Sequence, residues 1–154
     1  MPESKKTHIR PIAHNKRAFH DFMISDKIEA GIVLAGSEVK VLRDGKVTLA
    51  GAHVRIIRGE AQVFGMKIPE YPQANRLNHE VERERKLLLH KRQIERIDRD
   101  LNQRGAAWVV LRLYFKGARV KVEIGLGRGK RQHDKRHDLK KRDAQREMDR
   151  AIKG

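Results

Sequence analysis

Trp108-Val109-Val110-Leu111-Arg112-Leu113-Tyr114-Phe115, then Lys116-Gly117-Ala118, then Arg119-Val120-Lys121-Val122-Glu123-Ile124 is the stretch that decides the fold class. Two extended runs joined by a short link containing glycine read as a β-hairpin. The same signal occurs upstream, where His53 to Ile57 and Ala61 to Ile68 flank Arg58-Gly59-Glu60. Phe19 to Ile24 and Ile28 to Leu34 are further extended candidates. Gly36 to Arg43 reads as a short helix, with Ser37 as its N-cap and Asp44-Gly45 as its end. A longer helix is expected from about Glu82 to Gln103, with Leu87, Ile94, Ile97 and Leu101 on one face. Leu88 and Leu89 lie off that stripe if the helix is continuous. Either a break buries them elsewhere or one is an exposed contact. Short strands in hairpins, a few helices and a basic body predict a small antiparallel barrel of the oligonucleotide-binding type, with about three accessory helices.

The charge limits the partners. The chain has 154 residues, with 36 Lys and Arg against 20 Asp and Glu, a net charge of +16. Self-repulsion of that size is relieved by a polyanion. Nucleic acid is the first candidate and an anionic membrane surface the second. Arg128 to Gly154 carry 11 Lys and Arg against 5 Asp and Glu, a net of +6, which leaves +10 on the body. The expected organisation is a flexible basic N-terminus over 1–13, an RNA-binding barrel over 14–127 and a basic tail over 128–154. Leu139, Ala144, Met148, Ala151 and Ile152 give the tail only a thin apolar stripe. The tail is therefore expected to be disordered alone. Its good helix formers predict a helix on a polyanion, reaching roughly 40 Å at ~1.5 Å per residue.

Catalysis finds little support. There is no Cys, hence no disulfide, thiolate nucleophile or Cys-ligated zinc. The three serines, at 4, 25 and 37, lie in no nucleophile elbow. Glu80, Glu82 and Glu84 alternate with Arg83 and Arg85, which reads as ion-paired surface. His133 and His137 have helical zinc spacing, but the surrounding cations disfavour a metal. Gly125-Leu126-Gly127-Arg128-Gly129-Lys130 leads into a charge run, not an amphipathic helix, so it reads as a hinge rather than a phosphate loop. No cofactor or metal is implied. The longest apolar run, Ala106 to Leu111, is far short of the ~20 residues of a membrane span. A soluble, cytoplasmic protein is expected.

For RNA contact, Asn15-Lys16-Arg17 offers phosphate donors and an amide that can read a base edge, although a solvated entry segment would look the same. Most of Phe19, Phe22, Phe64, Tyr71, Trp108, Tyr114 and Phe115 read as core. Recognition of folded RNA through its backbone fits better than base stacking on a sheet.

Six motifs in fixed order carry a resemblance: Asn15-Lys16-Arg17-Ala18, Glu29-Ala30-Gly31-Ile32, Gly36-Ser37-Glu38-Val39-Lys40, Arg85-Lys86-Leu87-Leu88-Leu89-His90, Leu113-Tyr114-Phe115, and Gly129-Lys130-Arg131 with Asp134-Lys135-Arg136. Together they resemble the SmpB family of bacterial tmRNA-binding proteins along nearly the whole chain. Val41 and Val81 depart from the family pattern. The resemblance implies binding to the tRNA-like domain of tmRNA. It implies delivery of alanyl-tmRNA, with elongation factor Tu, to ribosomes stalled on truncated messages. The nascent peptide is then tagged for proteolysis, and the C-terminal tail lies in the empty message channel of the small subunit, near the decoding centre. It further implies a monomer, one per tmRNA. The residues carried over to a tmRNA face are Asn15, Lys16, Arg17, Glu29, Lys86, Leu89 and Lys121. Those carried over to the ribosome-binding tail are Gly129, Lys130, Arg131, His133, Asp134, Lys135 and Arg136. The alternative is a general structured-RNA-binding or ribosome-associated protein without a tmRNA role.

Overall fold

The computed structural model describes residues 8–73 and 78–129. Seven strands and three helices follow in the order β1 (Ile9–His14), α1 (Lys16–Asp21), β2 (Phe22–Ile32), α2 (Gly36–Arg43), β3 (His53–Ile57), β4 (Glu60–Phe64), β5 (Arg85–Leu88), α3 (Lys91–Leu101), β6 (Ala106–Lys116) and β7 (Arg119–Gly129). Both expected hairpins form. In β3–β4 the pairing runs to Ile57 opposite Glu60, leaving Arg58 (φ 53°) and Gly59 (φ 78°) as a two-residue turn. Two successive positive φ angles match the twist of the flanking strands. In β6–β7 the ladder runs to Lys116 opposite Arg119.

All pairings are antiparallel. The strand order is β1-β6-β3-β4-β5-β2-β7, and β6 also pairs with β7. The pairings therefore return on themselves: β6, β3, β4, β5, β2, β7 and back to β6, with β1 attached outside β6. The core fills the space inside this circuit. Leu42 from α2, Ile97 from α3, and Val54, Val63, Leu87, Trp108, Leu113, Val122 and Ile124 from the strands are all buried there. Fully burying such side chains contributes about 1.5–3 kcal/mol each.

Several expectations are corrected. The helix from Glu82 to Gln103 shrinks to α3. Arg85 to Leu88 form strand β5 instead, with Arg85 and Leu87 buried and Lys86 and Leu88 outside. Lys and Leu favour helix locally, but pairing with β2 and β4 overrides that preference. Helix α3 starts afresh after His90, whose N–H donates to Gln93 Oε1 at 2.9 Å. Phe19 to Asp21 are helical, and β2 runs unbroken where two strands were expected, with a bulge between Ile24 and Asp26. β4 stops at Phe64 because Gly65 turns the chain with φ 80°. The N-cap of α2 is Ala35, not Ser37. The helix end at Asp44-Gly45 is as expected.

The expected hinge over Gly125 to Lys130 is also corrected, because Gly125 to Gly129 belong to β7 and pair with β2. A Cβ on Gly125 would lie 2.6 Å from Leu111 Cδ1, and one on Gly127 would lie 2.9 Å from Phe22 Cβ. These glycines permit close packing rather than hinge motion. The proposed boundary at 127/128 thus falls inside β7.

A candidate nucleic-acid interface

Registers across β6, β7, β2 and β5 line up one row of the outer surface. Tyr114 stands opposite Lys121, Lys121 opposite Gly31, and Gly31 opposite Leu88. A second row runs Arg112, Glu123, Glu29. Lys86 is two residues from Leu88 on the same side of β5 and ion-pairs with Glu60 at 3.2 Å. Glu29, Lys86 and Lys121, which come from distant parts of the sequence, therefore meet on one face.

Glu29 is the tie of this face. It accepts hydrogen bonds from the Tyr114 hydroxyl and from Lys116 Nζ, the latter at 3.1 Å. The Tyr114 bond, with Lys116 and Lys121 nearby, holds the Glu29 carboxyl below the usual carboxylate range against the opposing effect of burial. Burial and the Glu29 carboxylate push the Tyr114 hydroxyl upward. Glu29 is thus an anion that orders the hydroxyl and ammonium groups around it.

Leu89 is half-buried and packs against the core. Leu88 is 56% exposed, on the same side of β5 as Lys86. Gly31 makes this possible: a Cβ there would sit 3.2 Å from Leu88 Cδ1, so the missing side chain lets Leu88 lie across β2.

Asn15, Lys16 and Arg17 sit elsewhere, at the start of α1. Lys16 and Arg17 are exposed, and Arg17 pairs loosely with Asp21 at 3.6 Å. Asn15 is 5% exposed. Its Nδ2 donates to the Leu49 carbonyl at 3.0 Å and the Val110 carbonyl at 2.8 Å, and its Oδ1 accepts from the Ala18 N–H at 3.1 Å. Both amide donors are consumed within the fold, so Asn15 pins α1 to β6. Asn15→Ala should cost about 1–3 kcal/mol, because it strands two buried carbonyls and removes a helix cap. Chemical denaturation would measure this loss.

Of the expected aromatic core, only Trp108 and Phe115 are buried. Phe19 and Phe64 are partly exposed, and each has an imidazole stacked on it (His14 at 5.0 Å, His53 at 6.0 Å). Sequence reasoning missed them because a phenylalanine in a strand or short helix carries no mark of which side it faces. Ser37 and His79 form a buried link at 2.8 Å, and His79 Nε2 donates to the Ile68 carbonyl at 2.9 Å. This pair fastens the segment before β5 to α2. Lys130, Arg131, His133, Asp134, Lys135 and Arg136 lie outside the described residues. Gly129 ends β7, paired with Phe22.

The family model described as SmpB protein matches residues 12–154. The chain belongs to the SmpB family. The SsrA-binding protein of Roseiflexus castenholzii is 50% identical over 145 residues, covering 94% of this chain and 92% of the relative. That of Pelobacter propionicus is 49% identical over 142 residues, covering 92% and 93%. A solved structure described as "tmRNA-SmpB: a journey to the center of the bacterial ribosome" superposes with a TM-score of 0.66 at 41% identity, covering 77% of this chain and 83% of that one. The six ordered motifs thus lie in a chain whose SmpB-family membership spans both the face on β7, β2 and β5 and the basic tail.

Proposed function

We propose that this chain is a tmRNA-binding adaptor for rescue of stalled ribosomes. Membership of the SmpB family across residues 12–154 is the observation that carries the reading. The protein holds the tRNA-like domain of tmRNA on the outer face of β7, β2 and β5. It supports delivery of alanyl-tmRNA with elongation factor Tu. Its tail, through Lys130, Arg131, His133, Asp134, Lys135 and Arg136, occupies the empty message channel. It works by binding and not by catalysis, as a monomer in the bacterial cytoplasm. The closed circuit of pairings supports a barrel of the oligonucleotide-binding type as its frame.

On this face Lys86 and Lys121 neutralise phosphates, Leu88 packs against a sugar or base, and Glu29 orders the donors. Leu88→Ala should weaken tmRNA binding by roughly tenfold, the loss expected of one well-placed apolar contact. Leu89→Ala should act mainly on stability. Filter binding at fixed physiological salt, with an unrelated structured RNA as competitor, tests both. Equal affinity for the two RNAs would favour a general RNA-binding role instead.

A further inference from the structure

Arg112 and Glu123 stand opposite each other across β6 and β7, and Glu123 in turn stands opposite Glu29 on β2. Both belong to the outer surface, because their strand neighbours Leu111, Leu113, Val122 and Ile124 are buried. The pair is close but loosely joined. Arg112 Nε lies 3.6 Å from Glu123 Oε1, too far for a hydrogen bond. The Arg112 side chain is 50% exposed and that of Glu123 23% exposed. Glu123 Oε1 is buried and has no hydrogen-bond partner among the described residues. A buried acceptor left without a donor costs stability. Like charges opposite each other on a ladder add to that cost. Glu29 offsets its own charge with bonds from Tyr114 and Lys116, and Glu123 has no such bonds among the described residues. A glutamine at position 123 would relieve the repulsion, so folding supplies no reason for the carboxylate. Local rules are broken in this way at functional sites.

General attraction supplies no reason either, since a carboxylate on a surface that meets phosphates weakens it. What Glu123 adds is an acceptor, and an acceptor beside a guanidinium suits a base edge rather than a phosphate. Guanine is the one base of the four whose Watson–Crick edge carries two adjacent N–H donors, at N1 and N2, with the O6 acceptor next to them. A carboxylate takes both N–H bonds in parallel, and a guanidinium donates to O6. That edge is open only in an unpaired nucleotide. Lys121, two residues from Glu123 on the same side of β7, is placed to hold an adjoining phosphate.

We infer that Arg112 and Glu123 are specificity-determining residues that read the Watson–Crick edge of one unpaired guanine in the tRNA-like domain of tmRNA. The inference rests on the adaptor reading. Glu123→Gln keeps the size of the side chain and removes its charge. A carboxylate that were surface charge alone would, on removal, let every RNA bind more tightly. A reading carboxylate gives opposite signs. With the full chain at physiological salt, the tmRNA dissociation constant should rise about tenfold in Glu123→Gln, while that for an unrelated structured RNA should fall slightly. The melting temperature should hold or rise. Arg112→Lys keeps the charge but loses the planar fork, so it should weaken tmRNA binding by a similar factor with the salt dependence unchanged. Kethoxal, which reacts at N1 and N2 of unpaired guanine, locates the base. The unaltered chain should protect one guanine of tmRNA that Glu123→Gln leaves reactive. Equal or tighter tmRNA binding by Glu123→Gln, or the same kethoxal pattern with both proteins, would overturn the inference. No preference of the unaltered chain for tmRNA over the unrelated RNA would instead overturn the adaptor reading, so the two failures are distinguishable.

Discussion

Glu38→Ala is expected to destabilise the protein by about 3–5 kcal/mol, the cost of leaving a buried charge without its partner. Glu38 and Arg85 are both fully buried. Arg85 Nε meets Glu38 Oε2 at 2.5 Å, and Arg83 meets Oε1 at 2.5 Å. The Ala35 N–H donates to the same Oε1 at 2.8 Å. Arg85 also donates to the carbonyls of Met66 and Val81, at 2.9 and 3.2 Å. One carboxylate thus fastens α2, the segment before β5 and β5 itself. Removing it leaves a guanidinium inside the core, and the melting temperature should fall by roughly 10 °C or more. Arg85→Met should cost a similar amount by stranding Glu38. Joining the two as Glu38→Leu with Arg85→Met should cost less than their sum, because no uncompensated charge remains. If the double substitution costs the full sum, the pair is not coupled as described.

The same carboxylate sets an acid limit. Burial acts to raise the Glu38 carboxyl, but Arg83, the Ala35 N–H and Arg85 outweigh it and leave it below the usual range. A depressed folded value means the unfolded chain takes up its proton first as pH falls. The contribution of Glu38 to stability is therefore complete above its ordinary value of about 4.3 and is lost as pH falls through the lower folded value. Glu29 acts with the same sign, but its side chain is 37% exposed and solvent screens its share. Acid unfolding of the unaltered chain should follow this direction.

Much of the fold was legible because hairpins are local. Ile57 to Glu60 and Lys116 to Arg119 carry their own turn chemistry, and both hairpins formed, each with a two-residue turn where a three-residue link was read. Where partners were distant in sequence, the reading failed. Arg85 to Leu88 are good helix formers, and nothing within the segment reveals that Ile32 and Val63 will pair with it. That one error placed Leu87 on a helix stripe and obscured which neighbouring leucine is exposed. Gly125 and Gly127 read as loosening elements because the side chains that crowd them, Leu111 and Phe22, come from other strands. The candidate face shows the same division. Charge counts indicated a polyanion partner, but only the register of β7 on β2 brings Lys121 opposite Gly31. Asn15 has the composition of a contact residue, and burial reveals it as a pin.

Ending the chain at Gly129 is expected to separate the two binding roles. The cut keeps β7 whole, since Gly129 is its last residue and pairs with Phe22. A cut after Gly127 would also remove the pairs of Arg128 with Met23 and Ala106. Residues 130–154 carry ten Lys and Arg against five Asp and Glu, a net of +5. The face formed by Glu29, Lys86, Leu88 and Lys121 stays intact, so tmRNA affinity at physiological salt should fall only modestly, through loss of general attraction. Ribosome engagement should suffer far more. Two linked binding elements gain about 10²–10⁴ over either alone, and removing one forfeits that gain. Peptide tagging on ribosomes programmed with a truncated message should therefore be lost while tmRNA binding persists. Tagging that continues at normal rates would sink the tail assignment. Loss of both activities together would mean that one RNA, and not two, is read by face and tail alike.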